Sequence, residues 1–153
     1  MSIDEPAGAA VGRVSHAIFR VARLHKELAG RLLRDLGLYP GQELLLMQLW
    51  DAGPQRQVDV IKILDSDAAT MTRSVQRLEK AGLVSRTRNV EDGRSVIIAA
   101  TPASEPLRIK VEQAWRGLEE ATVAQMTPAQ QAGALRVLQT LESNLDPPRT
   151  NGG

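Results

Sequence analysis

Eight side chains between Thr70 and Arg94 have the types and spacing to hold a polyanion. Thr70, Thr72, Arg73, Gln76 and Arg77 share one face if their stretch is helical. Arg86 and Arg88 stand two apart, so a strand points both to one side. Arg94 follows an Asp-Gly pair. These are cations and neutral donors with almost no carboxylate among them, the groups that bond phosphate oxygens and base edges. The patterns of other chemistries are missing. The chain contains no cysteine, which excludes a disulfide, a thiolate zinc site and a cysteine nucleophile. Two histidines, His16 and His25, without cysteine make a poor metal site, and His25 reads as a packed or hydrogen-bonded helix residue. No Ser/His/Asp spacing or glycine-rich phosphate loop stands out. No cofactor, metal or catalytic residue is expected, and an enzyme is not the reading.

The elements that must carry these residues can be read from the same stretch, Asp67 to Thr101. Asp67 is a favoured helix N-cap, since its carboxylate accepts from the free N–H groups of a first turn. Met71, Val75 and Leu78 then recur at i, i+4 and i+7 as a narrow apolar stripe. Gly82 stops the helix, because glycine takes the left-handed conformation cheaply. Leu83 and Val84 continue the apolar anchor into a strand. Glu91-Asp92-Gly93-Arg94 is a hairpin turn, and Val96, Ile97 and Ile98 form the return strand. A helix followed by an arginine-bearing hairpin is a winged helix-turn-helix. The helix fits the DNA major groove, and Arg94 enters a neighbouring minor groove. Alternatively, Arg94 only pairs with Asp92 at an exposed turn. Asp92 itself reads as a residue that orients the wing. Arg86 and Arg88 are candidates for phosphate contacts, with Arg86 alternatively bracing the wing.

These residues resemble the MarR family of bacterial transcriptional regulators. The run TMTRSVQRLEKAGLVSR, the wing Asp92-Gly93-Arg94-Ser95 and Ala100-Thr101-Pro102 are similar to that family's T-x-T-R…L-E-x-x-G-L-[VI]-x-R run, its D-x-R wing and the L-T before its next helix. The segment GQELLLMQLWDAG and the helical flanks are similar too, so the likeness covers roughly residues 10–145. Three positions depart from the pattern. Tyr39 stands where the family usually has Thr, Ala100 where it has Leu, and Ser104 where it often has Gly. The resemblance implies an effector pocket between dimer arms and winged domain, for which Phe19, His25, Trp50 and Trp115 are the candidates. The absence of cysteine excludes the thiol-based peroxide sensing of some relatives.

The rest of the chain supplies the frame. Its 153 residues are 42% hydrophobic but only 3% aromatic, so aliphatic side chains must fill the core. The net charge is only +1, and distribution matters more. From Asp67 to Ala100 six Arg or Lys stand against four acids, and from Thr101 onward five stand against six. The expected order is a flexible tail at 1–9, a dimerisation helix at 10–37, a winged helix-turn-helix domain at 38–101, dimerisation helices at 102–146 and a flexible tail at 147–153. Val11, Val14, Ile18, Val21, His25, Leu28 and Leu32 alternate at threes and fours, the seam of a helix that packs on another. Gly37 ends that helix. Pro40 is expected in the first turn of the next, whose Leu44, Leu45, Leu46, Met47, Leu49 and Trp50 predict burial nearly all round. A short helix covers about 57–64, with Val58 and Ile63 as additional apolar positions. Another begins at 104–106. Thr127-Pro128 opens the last, which carries Leu135, Leu138, Leu141 and Leu145.

The expected fold is therefore mainly α: a winged helix-turn-helix with N- and C-terminal dimerisation helices and a two-stranded β-wing. The expected function is a homodimeric regulator of double-stranded DNA that binds a pseudo-palindromic operator. It acts as a repressor released by a small apolar or aromatic effector. With no signal peptide and no long apolar run, a cytoplasmic protein without membrane contact is expected. The alternative is a helical dimerisation module whose winged domain binds a protein partner.

Overall fold

The computed structural model describes residues 8–146, so most of both expected tails lies outside the described residues. The Val11 amide donates to the Gly8 carbonyl at 3.0 Å and closes a turn in which Ala9 is buried. The chain then forms α1 (Arg13–Arg34), α2 (Gln42–Ala52), β1 (Gln55–Arg56), α3 (Gln57–Ile63), α4 (Ala68–Lys80), β2 (Val84–Arg88), β3 (Val96–Ala100), a 3-10 turn (Pro102–Ser104), α5 (Glu105–Thr122) and α6 (Pro128–Leu145). It divides after Leu118 into two compact units.

The first unit is built on one aliphatic core. Leu33 and Leu38 flank the end of α1. They pack in one cluster with Leu45, Leu46 and Leu49 of α2, Val60 of α3, Met71, Val75 and Leu78 of α4, Val84 and Ile98 of the sheet, and Val111 of α5. Fully burying one such side chain contributes about 1.5–3 kcal/mol. The core is therefore what holds α4 and the wing in place.

The sheet has three strands, in the order β1-β3-β2 and antiparallel throughout. Strands β2 and β3 are the expected two-stranded wing, and β1 adds a third strand to their sheet. Gln55 and Arg56 pair with Ile98 and Ile97, and two residues are too few to show a strand period in the sequence. One expectation changes at the start of α2. Pro40 lies outside the helix. Tyr39-Pro40-Gly41-Gln42 is a β-turn closed by the Gln42 amide on the Tyr39 carbonyl at 3.1 Å. Gly41, with φ 93° and ψ −24°, takes the third position of a type II turn, which favours glycine. Along α2, residues 42–50 are buried or half-buried except Leu44, with the polar Gln42 and Glu43 among the buried ones. Glu43 accepts from the Gly41 amide at 2.9 Å, and burial raises its pKa.

On α1 the C-terminal part joins the core. Val14, Phe19, Val21 and Leu24 are exposed, and so is His25, which the spacing had placed among packed residues. A seam records an apolar stripe without saying what covers it.

In the second unit, α6 opens with a reciprocal cap. Thr127 accepts from the Gln130 amide, and the Gln130 side chain accepts from the Thr127 amide. No residue of α6 is buried, and Leu135, Val137, Leu138 and Leu145 are exposed.

Candidate nucleic-acid interface

Helix α4 is fixed at both ends by groups that the sequence supplies locally. Asp67 caps the start, with one carboxylate oxygen accepting from the Thr70 amide and the other from the Thr70 hydroxyl, both at 2.8 Å. These bonds, with the nearby Arg73 charge, hold the Asp67 carboxyl below its usual range. At the far end the Leu83 amide donates to the Leu78 carbonyl at 2.9 Å, and Gly82 sits at φ 77°. Thr101 then ties the return of the wing to this stop: its hydroxyl donates to the Gly82 carbonyl at 2.6 Å and its amide to Leu83 at 3.0 Å.

Met71, Val75 and Leu78 are buried, as the stripe requires, and the opposite face carries Thr70, Arg73, Gln76 and Arg77 exposed. The predicted residues divide by what they already touch. Thr72 is half-buried, and its hydroxyl accepts from Gln57 of α3 at 3.3 Å, so it joins the two helices of the helix-turn-helix. The Thr70 hydroxyl proton is used by the Asp67 cap. Arg77 lies over the Tyr39 ring, 4.9 Å from its centroid. Arg73, Gln76 and Arg77 remain the outward-facing donors of the helix.

The wing sorts its arginines in the same way. Arg86 pairs with Ile98 in the sheet, and Ile98 is buried. Directly opposed residues share a face, so Arg86 points back toward the body of the domain. There it donates to Glu79 of α4 at 3.3 Å. This ion pair links the wing to the helix. Arg88 reaches toward the Gly93 carbonyl at 3.5 Å, a marginal contact. Arg94 is exposed, and its guanidinium makes no hydrogen bond or ion pair among the described residues.

Asp92 does not pair with the Arg94 side chain. One of its oxygens accepts from the amides of Arg94 and Ser95, both at 2.9 Å, and the other accepts from the Ser95 hydroxyl. These three bonds, the Ser95 hydroxyl foremost, lower its pKa to about 2. Asn89 completes the tip: its amide donates to Ser95, and its carbonyl accepts from Gly93, each at 2.8 Å. The tip is thus a bonded loop that presents Arg94 at its end.

One cation was missed in the sequence. Arg56 of β1 is exposed and forms a bidentate pair with Asp59, at 2.9 and 3.2 Å. The Asp92 charge also acts on it. The i, i+3 spacing of Arg56 and Asp59 is the signal that was available.

The four effector candidates differ in burial. Phe19 and His25 are exposed on α1, while Trp50 and Trp115 pack against the core. The Trp50 indole N–H donates to the Ser104 hydroxyl at 2.9 Å. A cavity of about 500 Å³ lies instead among Gly30, Arg34, Gly37, Leu38, Tyr39 and Pro40. Among the described residues, no helix is long and apolar enough to cross a membrane.

Residues 38–96 match the MarR family. The chain is 37% identical over 90 residues to the uncharacterized HTH-type transcriptional regulator YwoH of Bacillus subtilis, a match that covers 59% of this chain and 65% of that one. It spans between about half and two thirds of the length of the curated relatives it matches. Two solved structures share the fold. One is a mutant MarR from E. coli complexed with operator DNA, with TM-score 0.80, 21% identity, and 90% of this chain and 99% of that one covered. The other is BpsR of Bordetella bronchiseptica, described for regulation of its DNA binding by 6-hydroxynicotinic acid, with TM-score 0.78, 24% identity and coverage of 84% and 92%.

Proposed function

We propose, from the premise that residues 38–96 are a MarR-family winged helix-turn-helix domain, that this chain is a transcriptional regulator acting as a homodimer on double-stranded DNA. The observation that carries the reading is one surface with two parts. Arg73, Gln76 and Arg77 face outward from α4, and Arg94 stands uncommitted at the end of a wing whose tip is bonded in place. The helix enters a major groove, and Arg94 enters the adjacent minor groove, where a narrow groove concentrates negative potential.

Dimerisation is supported by the apolar side chains that α1 and α6 each leave exposed. Two copies related by a two-fold axis present two reading heads to half-sites about 34 Å apart, which matches a pseudo-palindromic operator. The regulator works as a repressor in the cytoplasm and is released by a small apolar or aromatic effector. BpsR is described as regulated by a heteroaromatic acid. The cavity at Gly30–Pro40, which holds the Arg34 side chain in its wall, is the place for such a molecule. An effector acts only if it binds one spacing of the two heads better than the other. Phe19, His25, Trp50 and Trp115 belong to the effector hypothesis only if dimerisation brings them to a shared pocket.

Selecting bound fragments from genomic DNA, then titrating the best fragment with salt, tests the reading. Electrostatic binding predicts a log–log slope of about −0.9 for each phosphate neutralised. With Arg73, Arg77 and Arg94 counted in both copies, the expected slope is about −5. No enriched fragment, or a slope near zero, contradicts the proposal.

A further inference from the structure

We propose that Tyr39 is a positioning residue for the DNA-reading surface, its ring serving as the platform that holds the Arg77 guanidinium in place on α4. This inference rests on the DNA-binding reading above. The Arg77 guanidinium carbon lies 4.9 Å from the Tyr39 ring centroid, within the range of a cation–π contact.

Tyr39 is 61% exposed, yet its backbone is bonded on both sides. Tyr39 opens the type II turn into α2, and its carbonyl accepts from the Gln42 amide at 3.1 Å. Its own amide donates to the Gln42 side-chain carbonyl at 3.0 Å. Gln42 is buried, and so is Leu38, the residue before Tyr39. The backbone that carries the ring is therefore anchored to the core at both flanks.

A cation over an aromatic ring is attracted by the ring's π face and takes up no lone-pair acceptor. Arg77 stays exposed and makes no hydrogen bond or ion pair among the described residues. The ring thus holds the cation without a carboxylate partner, whereas Glu79 occupies one N–H donor of Arg86. A long side chain ordered before binding loses less freedom when it meets a phosphate. Tyr39 acts on DNA affinity through Arg77, with no DNA contact of its own required.

The test is a double-mutant cycle on the selected operator fragment, using Tyr39→Leu, Tyr39→Phe, Arg77→Ala and the Tyr39→Leu/Arg77→Ala pair. Tyr39→Leu keeps apolar bulk and removes the π face. It is expected to weaken binding about two- to five-fold per protomer, the scale of an exposed cation–π contact, and so about five- to twenty-five-fold for a dimer that carries two. Tyr39→Phe keeps the face and is expected to bind like the parent. The double variant is expected to bind no more weakly than Arg77→Ala alone. Parent-like binding by Tyr39→Leu overturns the inference, as does equal loss in Tyr39→Leu and Tyr39→Phe, or a full additional loss in the Arg77→Ala background.

A DNA-free readout separates this inference from the function it rests on. The Arg77 side-chain protons are expected to be shifted upfield by the ring in the parent and in Tyr39→Phe, and to lose that shift in Tyr39→Leu. If the parent binds no duplex, the regulator reading fails while this spectrum still decides the stack. If the parent binds DNA and the shift is absent, the stack alone fails.

Discussion

Ser104→Ala removes one oxygen and breaks two bonds. Ser104 is 0% exposed, and its hydroxyl accepts from the Trp50 indole at 2.9 Å and donates to the Thr101 carbonyl at 2.7 Å. Alanine fits the space and leaves the indole N–H without its partner, while the Thr101 carbonyl keeps its bond from the residue-104 backbone amide at 3.0 Å. Each neutral bond contributes about 1 kcal/mol net, and a buried donor left unpaired costs about 1–3 kcal/mol. Trp50 is half-buried, so water can reach part of its ring, and the lower part of that range applies. The expected cost is about 2 kcal/mol. For a chain of 153 residues this lowers the melting temperature by roughly 4–8 °C. The assay is thermal unfolding by circular dichroism at fixed protein concentration, because association would otherwise shift the midpoint. Trp50→Phe deletes the donor, so the Ser104→Ala penalty should shrink in that background. Two results refute the reasoning: an unchanged midpoint in Ser104→Ala, or an undiminished penalty when Trp50 is already Phe. Either would mean that the link between α2 and the start of α5 is packing alone.

Two further outcomes follow from the reading head. Gly82→Ala places a side chain at φ 77° with no atom within 4 Å of the added carbon, so its whole cost is conformational. It should destabilise the chain by about 1–2 kcal/mol, read as a lower denaturation midpoint at unchanged slope. The Asp92 carboxyl has a folded pKa of about 2, below the usual 3.8. Its support for the wing is therefore fully present above the usual value and is lost as pH falls from there through about 2. The Arg94 and Ser95 amide resonances should titrate with a midpoint near 2, and a midpoint near 3.8 would deny the three bonds.

What could be read in the sequence was what neighbouring residues decide. The Asp67 cap, the 71/75/78 stripe, the Gly82 stop and the Asp-Gly wing tip are all local, and the structure places them as read. What escaped depends on partners far along the chain. Trp50 meets Ser104 across 54 residues, Gln57 meets Thr72 across 15, and Tyr39 meets Arg77. The same limit redirected Arg86, since only the register with buried Ile98 shows that it points toward Glu79. Strand β1 escaped because two residues carry no period, and Pro40 was misplaced because Tyr39 to Gln42 form a turn before the helix. The exposed seam of α1, His25 included, shows that spacing identifies a face and leaves its cover open.

Comparing the parent with Arg94→Ala on the selected operator fragment tests the central claim most directly. Arg94 is exposed and bonded to the wing only through its backbone amide, so the substitution leaves the fold and its oligomeric mass unchanged. Losing a guanidinium from the minor groove costs about 1–3 kcal/mol, so affinity should fall about tenfold or more while the mass by light scattering stays constant. Equal affinity in the two proteins would contradict the account and turn the winged surface toward a protein partner.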